Sequence, residues 1–282
     1  MPSIHKDTFW MRNLFFFVVM CFSNCSTASS ETLIHEKLYA ALQLNKIITI
    51  LHDEGIGDGL KTGVVYLGKD YDEKAFRAAL DEVYSLESME SELKSGIAES
   101  LTLETATHVL DFFSSDLGRQ IATLETSART VISDAAVERI VIDVAKSAKI
   151  ENPKRYNLLE KNIIEMGFVE LNMTGAFSAQ FAFLSELSKL ENVTITHDEI
   201  LAMLMQSEAE MREEIKNWLM GFSYLAYQPL SDDELGTYLG FLTSSSGKEL
   251  NSVLFSIFNA LALKTSEGLA SVIISFYMAR EL

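Results

Sequence analysis

Residues 101–121 read "LTLETATHVLDFFSSDLGRQI" and residues 230–250 read "LSDDELGTYLGFLTSSSGKEL". Set against each other at a spacing of 129, without a gap, they share Leu101/Leu230, Leu110/Leu239, Phe112/Phe241, Ser115/Ser244 and Gly118/Gly247. Thr102/Ser231, Glu104/Asp233, Ser114/Thr243, Arg119/Lys248 and Ile121/Leu250 agree in kind. Ala106, Val109, Leu110 and Phe113 recur at helical spacing in the first stretch, as do Leu235, Tyr238, Leu239 and Leu242 in the second, so each predicts an amphipathic helix. Ser115 and Ser244 then break that helix and can cap the next. The glycine falls in the following first turn, where a missing Cβ lets another backbone approach closely. Phosphate binding by this Ser-x-x-Gly is disfavoured, because it lacks the preceding strand and the glycine density of a phosphate loop.

The same comparison extends outward. Asp70-Tyr71-Asp72-Glu73 and Thr196-His197-Asp198-Glu199 both read as capping boxes ahead of long amphipathic helices, about 71–99 and 196–227. Gln43-Leu44-Asn45 has a counterpart in Glu170-Leu171-Asn172, and residues 133–146 resemble 266–279. After the first residues proline is limited to Pro153 and Pro229, and apolar residues keep helical spacing almost throughout. Asn152-Pro153 suits a helix start. The expectation is an all-α chain of two tandem related helical units, 31–152 and 153–282, arranged as separate domains or as one continuous array.

The order Leu230-Ser231, an acidic residue, Phe241 and Ser244-x-x-Gly247-Lys248 resembles the exported bacterial family that carries domain of unknown function 2059. The resemblance is clearest over 196–262, and the stretch 101–121 carries a more divergent copy. It implies an all-helical periplasmic protein, and the family supplies no reaction, cofactor or active site to carry over.

The first thirty residues read as a signal peptide: Lys6 and Arg12, then an apolar run from Asn13 to Phe22, then Ala28 and Ser30 as small residues before cleavage. The run is too short to span a bilayer. Cys21 and Cys25 both fall inside it, so cleavage after Ser30 leaves a chain without thiols; a lipid anchor on Cys25 is the lesser alternative, because Asn24 fits poorly there. Without disulfides, a large core must hold the fold. Removing Lys6, Arg12 and Asp7 leaves 21 basic against 39 acidic residues, a net charge of −18. Such a surface repels phosphate backbones and anionic membranes, which argues against nucleic-acid partners. No later segment reads as transmembrane, since Lys264 and Glu267 interrupt the most apolar one.

Candidate chemistry is sparse. His35, His52, His108 and His197 form no metal motif, and Glu104 with His108 reads as a surface ion pair. Residues 52–63, "HDEGIGDGLKTG", read as a flexible glycine-rich connection whose Asp53, Glu54 and Asp58 do not have calcium-loop spacing. No Gly-x-Ser-x-Gly elbow occurs. The favoured function is therefore a non-enzymatic periplasmic interaction or envelope module without a cofactor, whose surfaces form where the two units meet and whose partner is an envelope protein. The alternative is a carrier of an apolar small molecule, with Trp218, Phe222 and Phe255 among its lining residues. A hydrolase using paired carboxylates is the least favoured reading. A carrier requires an enclosed apolar cavity, an interaction module an exposed apolar patch, and a hydrolase a cleft of carboxylates with a raised pKa.

Overall fold

Polar side-chain caps and three positive-φ residues, Gln43, Gly68 and Gly167, divide the chain into helices. The computed structural model describes residues 30–190 and 195–280, and among them there are twelve helices and no strand. The expected signal segment, with Cys21 and Cys25, lies outside the described residues. The first half holds α1 (Ser30–Ala41), α2 (Leu44–Leu67), α3 (Glu73–Val83), α4 (Leu86–Ser100), α5 (Leu103–Phe113), α6 (Asp116–Ile132) and α7 (Ala135–Glu151). The second holds α8 (Pro153–Glu165), α9 (Phe168–Leu187), α10 (His197–Tyr227), α11 (Asp232–Leu242) and α12 (Ser245–Arg280).

The turns flanking α5 and α11 explain their shared residues. Thr102 and Ser231 cap α5 and α11. Ser115 Oγ accepts from the Gly118 amide at 3.0 Å, and Ser244 Oγ accepts from the Gly247 amide at 3.1 Å. A Cβ on Gly118 would lie 2.1 Å from the Phe112 carbonyl oxygen, and one on Gly247 would lie 2.2 Å from that of Phe241. The new helix starts so close to the end of the old one that only glycine fits. α11 also has a full capping box, closed by Glu234. α5 has Thr105 where that glutamate would stand, and Glu249 of α12 reaches across instead, accepting from the Thr102 amide and the Thr105 hydroxyl.

Other breaks recur with a constant shift. Gln43 and Gly167, both left-handed (φ 52° and 64°), precede α2 and α9, while Asp72 and Thr196 cap α3 and α10; each pair is 124 residues apart. The counterpart of Gln43 is therefore Gly167, and Glu170-Leu171-Asn172 sits a turn inside α9. The helix expected over 71–99 begins later, at the Asp72 cap, and breaks at Tyr84-Ser85, where Ser85 caps α4. Its counterpart α10 is unbroken, as is α12, which stands where the first half has α6 and α7 separated by the Asp134 cap.

The stretch 52–63 is not a loop; it lies within α2. A Cβ on Gly55, Gly59 or Gly63 would lie 2.3, 2.9 or 2.6 Å from Tyr84, Leu80 or Phe76 respectively. Glycine at four-residue spacing gives α2 a smooth face on which α3 packs. That close packing offsets a propensity cost of about 1 kcal/mol per glycine.

The two halves share their core. Leu38, Leu93, Val109 and Ile121 of the first half pack in one cluster with Phe222, Leu235, Leu254 and Phe258 of the second. α10 packs on α6 and α7, and reciprocally α12 packs on α3, α4 and α5. Arg129 of α6 is fully buried and grips Glu54 of α2 through both terminal nitrogens, while Ser133 bridges the same pair. By length and composition the α12 segment Ser245–Ala279 is apolar enough to cross a membrane, contrary to the sequence reading. In this fold its Leu254, Phe258, Leu269 and Ile273 are buried against other helices.

Candidate functional site

An apolar groove opens on the surface of the second half. Phe177, Ser178 and Phe181 of α9, Leu201, Leu204 and Met205 of α10, and Leu263 of α12 line a solvent-open groove of about 440 Å³. Leu204, at 6% exposure, lies at the buried side of the groove, and Ile200 a turn earlier is fully buried. Leu201 and Met205 lie one position further round the helix and are 47% and 71% exposed. Single exposed apolar residues are ordinary, but here three meet two half-buried phenylalanines. The expected surface where the units meet is instead packed core, and the groove lies wholly within the second half.

The first half provides an internal comparison. At the 124-residue shift, Leu204 corresponds to Leu80, which is also buried. The outward residues change character: Phe177, Phe181, Leu201 and Met205 correspond to Asp53, Gly57, Arg77 and Asp81. Asp53, Arg77 and Asp81 are exposed, and Glu54, at the place of Ser178, is held by Arg129. Packing thus requires leucine at the inward position and allows charge at the outward ones.

The helices flanking the groove are rich in carboxylates. α10 carries Asp198, Glu199, Glu208, Glu210, Glu213 and Glu214, against Arg212 and Lys216 alone. Arg212 is bound by Glu170 and Glu208, and Lys216 by Glu160. Asp198 stands one turn before Leu201, and Glu267 one turn after Leu263. The His197 ring lies 5.4 Å from that of Phe181.

No family model, curated protein or solved structure matches this chain.

A second polar feature is Glu125 of α6, which is 2% exposed. Tyr227 Oη and Tyr238 Oη donate to its Oε1 at 2.7 and 2.6 Å. Burial pushes its carboxyl up to about 7, against the opposing pull of the two tyrosine hydrogen bonds. Both phenols are in turn raised, first by their own burial and then by this carboxylate. The group is buried between α6, α10 and α11 and is not part of the groove. Among the described residues no three His, Asp or Glu side chains gather into a metal-binding group.

The other residues singled out in the sequence are structural. Trp218, Phe222 and Phe255 are 3%, 0% and 4% exposed. Trp218 stacks on Phe222 and Phe255 on Phe168, so these aromatics fill the core and line no part of the groove. His108 Nδ1 lies 3.4 Å from Ser246 Oγ instead of pairing with Glu104. His52 contacts the Tyr84 carbonyl and His35 that of Leu101. The groove had a sequence signal in "ILAMLM" at 200–205, an apolar run wider than one helix face needs.

Proposed function

We propose that this is an exported, non-enzymatic interaction module that docks a partner in the groove between α9, α10 and α12. One observation carries the reading: Phe177, Leu201 and Met205 of this groove stand where the first half has the charged Asp53, Arg77 and Asp81. A fold that tolerates Arg77 and Asp81 has no packing need for Leu201 and Met205. Their exposure costs solubility, and contact with a partner accounts for it. The recurrent caps, together with the resemblance to exported proteins of the domain of unknown function 2059 family, support a duplicated helical unit in the periplasm. A carrier is disfavoured because a small-molecule site buries most of its ligand and this groove is open on one side. A hydrolase is disfavoured because Glu125, the one strongly raised carboxyl among the described residues, is buried against tyrosines.

The test places a photo-crosslinking amino acid at Met205 or, as control, at Asp81 in cells of the native host. Docking in the groove yields a discrete protein adduct from position 205 only, lost with Leu263→Asp, and the purified partner then binds the purified chain. Equal adducts from both positions, or an adduct that ignores Leu263→Asp, contradicts the reading.

A further inference from the structure

Resting on that reading, we propose that the groove takes one amphipathic helix whose apolar face enters it and whose flanks carry lysine or arginine. The chain presents only helices among the described residues, so no sheet edge is available to pair with an extended peptide. A groove flanked by helices instead takes apolar side chains three and four apart on a partner helix. Leu201, Met205 and Leu263 at the mouth, with Phe177 and Phe181 within, supply the complementary apolar walls.

Charge selects the flanks. Arg212 and Lys216 are already engaged by Glu170, Glu208 and Glu160, and Lys264, beside Leu263, is bound to Glu92. Asp198 and Glu267 at the rim have no ion-pair partner among the described residues. A docked helix therefore meets a negative margin, which attracts a basic segment and repels an acidic one. The same argument disfavours a second copy, because a chain of net charge −17 would bring two acidic rims together.

The probe is a fluorescent Leu/Lys peptide with leucines at 3,4 spacing. It is compared with a scramble of identical composition and with a version in which glutamate replaces lysine, by anisotropy on the full chain. The expected result is binding at least tenfold tighter than the scramble. It should weaken at least tenfold in Met205→Asp, stay unchanged in Asp81→Asn, and fall as salt rises toward 1 M. Equal binding of the scramble, or indifference to Met205→Asp, overturns the proposal. So does a concentration-dependent dimer that Met205→Asp abolishes, or an organic-extractable ligand already filling the groove. If the peptide fails while crosslinking from Met205 persists, the kind of partner is wrong and the docking site stands; if both fail, the docking site falls too.

Discussion

Phe112 and Phe241 stack on each other with ring centroids 4.0 Å apart and planes 8° from parallel. Each stands three residues before the serine that caps the next helix, so the ring of one half meets its own counterpart in the other. The two rings therefore join the α5 and α11 regions directly across the shared core. α10 packs on α6 and α7 and α12 on α3 and α4, so both halves are held across the same core. Phe112→Ala and Phe241→Ala should each destabilise the chain, and urea unfolding of the double variant should reveal a coupling of about 0.5–1.5 kcal/mol. Additive effects would mean that the stack contributes only its buried area.

Two pairs of glycines contrast in what an added Cβ would meet. At Gly118 and Gly247 an added Cβ meets fixed backbone, so alanine at either should cost about 1–3 kcal/mol. Gly236 and Gly240 are exposed within α11, and nothing lies within 4 Å of an added Cβ. Alanine there should stabilise by about 0.4–1 kcal/mol. Denaturant midpoints of the four variants give the signs directly.

Glu125 makes stability fall as pH rises. Below its ordinary value of 4.5 both folded and unfolded forms hold the proton. Between 4.5 and about 7 the unfolded carboxyl ionises first, and roughly 3 kcal/mol is lost across that window. Glu125→Gln removes the titration and keeps an acceptor for Tyr227 and Tyr238. The stability difference between variant and parent, followed by urea unfolding from pH 4 to 8, should grow across that window in favour of the variant. A flat difference contradicts the account.

Glu54→Gln leaves the buried Arg129 guanidinium without its carboxylate and should cost about 3–5 kcal/mol. Replacing both residues, as Glu54→Leu with Arg129→Met, should recover part of that loss. If the double variant is as unstable as Glu54→Gln, packing around α6 matters more than charge.

What was legible in the sequence was punctuation. Ser115, Ser244 and the glycines after them act through neighbours three residues away, so local chemistry reveals them. Asn152 and Pro153 mark α8 for the same reason. Glycine density over 52–63 signals a loop unless spacing is weighed, and Gly55, Gly59 and Gly63 make sense only once α3 lies against them. Trp218, Phe222 and Phe255 were indistinguishable from ligand contacts, since core and pocket select the same side chains. The trans cap by Glu249 and the Glu125–tyrosine cluster join residues over a hundred positions apart, beyond the reach of any local pattern.

We propose a docking groove in the second half, where the first presents charge. Amide hydrogen exchange of the chain within its host's envelope, compared with the purified chain, addresses it most directly. Docking predicts added protection over 177–181 and 201–205 and none over 53–57 and 77–81. Protection confined to the first half, or equal in both, would contradict it.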